Sequence, residues 1–205
     1  MMAVDIRDIT VENGSLPTII KPRGTRYCTS GVTGTIGAAL TINSTVFAMR
    51  LDPGAGKSAY IERLRAVFTT IVAFTTPITA GRRLALFRGS GAATAGGTSI
   101  SEATRKLSSS AASQCDVSEG GDIRIATTGA LTVTGITYET NPFRTMPLVH
   151  VGTAGAVYDR IFEFGNGETA PIILELGQLL AIRNPQAMDA AGTWQLSVDV
   201  DWFEI

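Results

Sequence analysis

The sequence predicts an all-β protein, a single antiparallel β-sandwich with jelly-roll-like connections that follows an extended N-terminal arm. About ten short runs rich in β-branched and aromatic residues recur roughly every 8–12 residues. Glycine, proline or asparagine separates most of these runs, and the chain holds 22 glycines and 8 prolines, as expected for many turns. Sustained helical periodicity is scarce, so two packed sheets are the expected architecture.

The clearest predicted strand is the last one, residues 193–203. Apolar and polar residues alternate along it, which is the pattern of a strand with one face buried. The predicted buried face consists of Trp194, Leu196, Val198, Val200 and Trp202. Asp199 and Asp201 lie on the opposite face, where we expect them to meet solvent.

Other strands are predicted inside one domain that covers residues 35–205. They fall at residues 35–52, 58–76, 82–89, 122–128, 130–138, 146–152, 156–165, 170–177 and 179–184. Gly129 separates two alternating runs, which predicts a hairpin. The spacing of Ser99 and Glu102 is that of a capping box, so a short helix is predicted to end near Leu107.

Residues 1–34 are predicted to form an arm outside the sandwich, because Pro17 and Pro22 interrupt them and no period persists. An arm without a core of its own gains order only on a partner. We expect the arm to bind its partner mainly by adding a strand to a sheet of that partner, with Ile19 and Ile20 docked in apolar hollows. Arg23 and Arg26 of this arm are expected to pair with carboxylates of a neighbour.

Composition excludes several classes of protein. The 205 residues are 44% hydrophobic and 17% charged with a formal net charge of −1, which argues against disorder and against a basic nucleic-acid binder. The N-terminus is too charged for a signal peptide, and the longest apolar stretch, residues 66–80, is broken by Pro77. A soluble chain made in the cytoplasm is expected, with no membrane or nucleic-acid partner.

Two glycine-rich segments resemble nucleotide-binding motifs but fail the required spacing. The first segment is GAGKS, residues 54–58. A phosphate-binding loop that ends in its last three residues would need a glycine at position 51, which is Leu51, and Pro53 has no amide to donate. The glycines at 89–97 do not fit a dinucleotide fingerprint because Thr94 occupies a glycine position. We predict a strand-connecting turn for the first segment and a flexible loop for the second.

The ionisable residues suggest no catalytic centre. His150 is the single histidine, and a lone histidine on a strand is usually structural. Asp199, Asp201 and Glu204 could serve acid–base chemistry or bind calcium, but a solvated strand face explains the two aspartates better.

The spacing of the glutamates and cysteines also does not match a metal-binding or redox motif. Glu163, Glu168 and Glu175 flank a glycine-rich turn without the ligand spacing of a calcium loop. Cys28 and Cys115 show no CxxC pattern, so two free thiols are expected. The sequence therefore predicts no catalytic, cofactor-binding or metal-binding residue and no small-molecule substrate.

Three segments together resemble virion proteins of tailed bacteriophages. They are GGTSISEATRKLSSS, GGDIRIATTGALTVTG and PIILELGQLLAIRNPQAMDAAGTWQLSVDVDWFEI. The last is the most specific, with E-x-G-Q-x-L-x-I-R-N-P followed by A-A-G-T-W and an acidic-aromatic end. The similarity covers about residues 45–205 and carries structural signatures without a catalytic one.

This resemblance implies a β-sandwich component of the capsid surface, a decoration or cement protein with the major capsid protein as its partner. Such proteins commonly occupy threefold positions, so a homotrimer located in the virion is expected. Two alternatives remain open from the sequence. One is a tail, tail-tip or head-fibre component, and the other is a carbohydrate-binding β-sandwich.

Overall fold

Short alternating segments of the chain form the strands of the fold. The computed structural model describes residues 25–37, 40–75, 81–100, 112–148, 154–164, 170–188 and 191–205. Over these residues the strands are β1 (Thr25–Val32), β2 (Thr45–Arg50), β3 (Ala59–Val72), β4 (Arg82–Gly91), β5 (Thr98–Ser99), β6 (Asp122–Ile125), β7 (Ile136–Tyr138), β8 (Arg144–Leu148), β9 (Val157–Glu163), β10 (Ile172–Leu174), β11 (Gln178–Arg183) and β12 (Thr193–Glu204). A single 3-10 turn, Val117–Glu119, precedes β6.

These strands form two antiparallel sheets that pack face to face. The five-stranded sheet has the order β1-β12-β3, and β9 and β10 share the far edge of β3. The seven-stranded sheet has the order β5-β6-β2-β11-β4, and β7 and β8 share the far edge of β4. The predicted antiparallel β-sandwich is therefore confirmed, while its jelly-roll connectivity stays a prediction.

The inward face of β12 forms the centre of the core, as the alternation predicted. Its buried residues are Trp194, Leu196, Val198, Val200 and Trp202, each at most 1% exposed. Trp194 stacks on Phe68 of β3 with ring centroids 4.9 Å apart, and Trp202 stacks on Tyr27 of β1 at 5.6 Å. Aromatic pairs of this kind add about 0.5–1.5 kcal/mol beyond the area they bury.

The N-terminal boundary of the sandwich differs from the prediction. Residues 25–32 of the predicted arm form β1, which pairs with β12 at eight successive positions. The strand escaped the sequence pattern because one of its inward residues is Gly31, where an added Cβ would strike Cδ1 of Ile100. The described part of the sandwich thus starts at Thr25, and the remainder of the arm prediction concerns residues 1–24, which lie outside the described residues.

The hairpin predicted around Gly129 is also wrong. β6 pairs with β2 and β5, whereas β7 pairs with β4 at the other end of the seven-stranded sheet. The intervening residues cross the end of that sheet, where Leu131 N donates to Thr45 O. Most of the helix predicted from Ser99 to Leu107 lies outside the described residues, and Ser99 itself ends β5.

Candidate functional site

Ion pairs cover the face of the five-stranded sheet that points away from the other sheet, here called the outer face. Arg65 of β3 donates from Nη2 to Asp159 Oδ2 at 2.6 Å and from Nε to Asp159 Oδ1 at 3.1 Å. Its Nη1 also lies 3.9 Å from Asp199 Oδ2, and Arg63 Nη1 lies 3.4 Å from Asp201 Oδ2. These pairs are partly exposed, so each contributes about 0–1 kcal/mol and mainly fixes a pattern of charge.

The hydrogen bond from Arg65 holds the pKa of Asp159 below its ordinary value, and the same bond raises the pKa of Arg65. Five carboxylates and three guanidinium groups share the outer face on β1, β12, β3 and β9, which gives five minus three, a net charge of −2. They are Glu62, Asp159, Glu163, Asp199 and Asp201 with Arg26, Arg63 and Arg65. This face therefore has a negative surplus.

Exposed apolar side chains lie among these charges. On β9, Val157 is 58% exposed and Ile161 is 46% exposed. They flank Asp159 on the outer face, because alternate residues of a strand share a face. Val67 lies opposite Asp159 on β3, diagonal to both side chains. Exposed apolar side chains bordered by charged groups can form part of a protein–protein contact surface.

The outer edge of β9 pairs with no strand among the described residues. Thr70 N donates to Ala156 O, and Phe164 N donates to Glu62 O. Since an antiparallel strand directs alternate residues to alternate neighbours, the backbone groups of Val157, Asp159 and Ile161 turn away from β3. This edge can accept hydrogen bonds from an added strand and donate to it.

The three acidic residues considered near the C-terminus fall into two environments. Asp199 and Asp201 lie on the outer face in ion pairs, as expected for a solvated strand face. Glu204 is only 2% exposed, and its Oε1 accepts hydrogen bonds from Ser113 Oγ at 2.6 Å and Gln114 N at 3.0 Å. The structure does not bring the three together in one site.

The first glycine-rich segment connects two strands, and the second begins inside a strand. Residues 54–58 lie in the turn between β2 and β3, where Ala55 N donates to Asp52 O at 3.2 Å. Gly89 and Gly91 belong to β4, and the later glycines lead into β5. The prediction of a strand-connecting turn for residues 54–58 is confirmed.

The remaining candidate residues do not form a site in the described part of the chain. His150 and Glu168 lie outside it, while Glu163 and Glu175 are exposed. Across the described ranges, no group of three or more His, Cys, Asp or Glu residues is placed to hold a metal ion. Cys28 and Cys115 form no disulfide, as predicted.

The arginine and asparagine of the I-R-N-P motif have structural contacts. Arg183 of β11 packs its guanidinium over the ring of Tyr138 at 3.8 Å and donates from Nη2 to Asn43 O at 2.7 Å. Burial lowers the pKa of Arg183 and raises that of Tyr138. Asn184 Nδ2 donates to Thr41 O at 2.9 Å, so the motif ties β11 to the loop before β2.

No protein-family model matches this chain, and no curated protein sequence matches it. In the described ranges, no helix is long and apolar enough to span a membrane. The outer face offers exposed apolar side chains, a negative surplus and, on β9, an edge that pairs with no other described strand.

Proposed function

We propose that this chain is a non-enzymatic structural protein of a bacteriophage virion, a decoration or cement protein that binds and stabilises the capsid lattice. Its partners in this proposal are the major capsid protein and further copies of itself in a homotrimer. It joins the particle in the host cytoplasm and uses no cofactor. A wide contact surface suits this role, because such proteins bind through apolar and backbone contacts.

The observation that supports the proposal is the position, within the fold, of the segment that most specifically resembles phage virion proteins. The segment of residues 171–205 forms β10, β11 and β12. β11 lies between β2 and β4, and β12 lies between β1 and β3, so the segment supplies a central strand to each sheet. Its arginine and asparagine fix a neighbouring loop. The resemblance thus concerns the scaffold of the sandwich, which is where a structural signature is expected.

A carbohydrate-binding function is less well supported. Sugar-binding surfaces commonly present an exposed aromatic ring on which a sugar can stack. The two tryptophans of this chain, Trp194 and Trp202, are 1% and 0% exposed. They pack inside the sandwich and offer no such platform.

The copy number in purified virions that contain this chain tests the proposal. Quantitative mass spectrometry gives the molar ratio of this chain to the major capsid protein. A lattice position predicts roughly one copy per capsid subunit, whereas about a dozen copies or fewer per particle would contradict it and favour a tail component. An electron-microscopy map of the same particles then shows whether the copies surround threefold positions.

A further inference from the structure

We propose that the outer edge of β9, at Val157, Asp159 and Ile161, accepts residues 17–23 from a second copy of this chain as an added strand. This inference deepens the proposed function, since it rests on the proposed self-association and names the contact that produces it. The donor segment lies outside the described residues. The acceptor strand, β9, lies within the described residues.

The acceptor edge offers both backbone and side-chain contacts. The backbone N–H and C=O groups of Val157, Asp159 and Ile161 point away from β3. The same three residues direct their side chains to the outer face, with two apolar side chains around one carboxylate. An uncovered edge of this kind is a template for strand addition.

Two β9 edges are poorly suited to pair with each other. In a two-fold pair centred on Arg160, the two guanidinium groups lie opposite each other. Centred on Ile161, the pair places Asp159 opposite Glu163, and centred on Asp159 it places two aspartates together. Like charges directly opposite each other destabilise a sheet. In these three registers the repulsion disfavours pairing of two β9 edges, and a segment of different charge avoids it.

Residues 17–23, PTIIKPR, match the acceptor in charge and pattern. This segment carries two cations and no acid, whereas the outer face has a negative surplus. In an antiparallel register that places Lys21 opposite Asp159, Ile19 lies opposite Ile161. Lys21 and Ile19 thus each lie opposite a complementary side chain.

The prolines of the segment also fit this register. Pro22 falls opposite Tyr158, one of the positions whose backbone groups bond to β3. The added strand needs no amide at that position, so the missing N–H of proline costs no hydrogen bond. Pro17 falls at the end of the pairing, opposite Glu163.

Chain length requires the donor to be a second molecule. In one molecule Thr25 lies opposite Glu204, which lies opposite Ala59. The nearest end of β9, Glu163, lies opposite Arg63, four residues along and three strands across. That separation is about 20 Å, whereas the two residue steps from Arg23 to Thr25 span at most about 7 Å.

Because donor and acceptor are different surfaces, each copy gives one segment and receives another. Such a heterologous contact closes into a ring when the rotation between copies fits. The proposed homotrimer is one such ring. The contact needs no capsid, so it can be tested separately from lattice binding.

Disulfide trapping tests the register. Two full-length variants, Ile20→Cys and Arg160→Cys, are mixed and oxidised, because these positions form a non-hydrogen-bonded pair with Cα atoms about 4.5–5 Å apart. We expect a disulfide between residues 20 and 160 of different molecules, identified by peptide mapping. The control pair, Ile19→Cys with Arg160→Cys, places its thiols on opposite faces and should give none above background. Absence of the 20–160 disulfide, or equal yield in the control, overturns the contact.

A proline substitution provides a second test that preserves the pairing of β9 with β3. Ile161→Pro removes an amide that points away from β3, whereas the control Ile161→Thr keeps that amide. We expect light scattering to show loss of the oligomer for Ile161→Pro, unchanged β-rich circular dichroism, and retention of the oligomer for Ile161→Thr. An Ile161→Pro protein that stays oligomeric overturns the proposal, as does a wild-type chain that is monomeric at its highest attainable concentration.

Discussion

Replacing Glu204 by glutamine is expected to lower the free energy of unfolding by about 2–4 kcal/mol. Glu204 ends β12 and is 2% exposed. Its Oε1 accepts from Ser113 Oγ at 2.6 Å, Gln114 N at 3.0 Å and Trp202 Nε1 at 3.3 Å. The carboxylate thereby ties the segment before the 3-10 turn to the five-stranded sheet.

The size of this loss follows because glutamine removes the negative charge of Glu204 and keeps the shape of its side chain. A hydrogen bond to a charged acceptor contributes about 1.5–3 kcal/mol, whereas a neutral one contributes about 0.5–1.5 kcal/mol. Three bonds at Oε1 therefore lose about 1 kcal/mol each. Glu204 Oε2 lies 3.2 Å from Gln114 N, so the new amide group also places a donor against a donor.

Equilibrium unfolding in urea measures this difference, provided that the dependence on urea is unchanged. Asp201→Asn is the matched control, because Asp201 lies three residues away on the same strand in a partly exposed ion pair. Its substitution should cost less than about 1 kcal/mol. If the two variants differ by less than about 0.5 kcal/mol, the buried carboxylate does not act as described.

Three further predictions concern packing, pH and backbone conformation. Trp194→Phe should lower the free energy of unfolding less than Trp202→Phe, because only Trp202 Nε1 has a hydrogen-bond partner among the described residues. Burial raises the pKa of Tyr138, so its contribution to stability is complete below about pH 10, the ordinary tyrosine value, and is lost as pH rises. In unfolding measured at alkaline pH, the Tyr138→Phe variant should therefore lose less stability with rising pH than the wild type. Gly97→Ala should cost more than about 1 kcal/mol in thermal or urea unfolding, since its φ is +59° and a Cβ would strike a β6 carbonyl, whereas Gly129→Ala meets open space and should be nearly neutral.

The sequence predicted those strands whose side chains alternate between a buried and a solvated face. β12 is the clearest case, and its predicted register is confirmed. β1 was missed because Thr29 and Gly31 occupy inward positions where an apolar pattern expects larger residues. The Gly129 hairpin failed for another reason, since a local turn signal does not say which distant strand pairs with the residues on either side.

The candidate interaction surface was harder to predict. β9 carries apolar residues on both faces, with Tyr158 and Phe162 inward and Val157 and Ile161 outward. Alternation therefore gives no indication of which face is exposed. The pairing of Arg65 with Asp159 joins residues 94 positions apart, so only the tertiary structure reveals it.

Stability and attachment should be separable in this protein, because different segments determine them. The segment with the specific resemblance, residues 171–205, builds the central strands of both sheets. The proposed contacts depend instead on an edge strand whose outward side chains lie outside the core. Antiparallel alternation assigns successive residues of β9 to the interior and to the partner. Changes at Val157 or Ile161 should therefore alter association while leaving the interior intact, whereas changes at Phe162 should do the reverse.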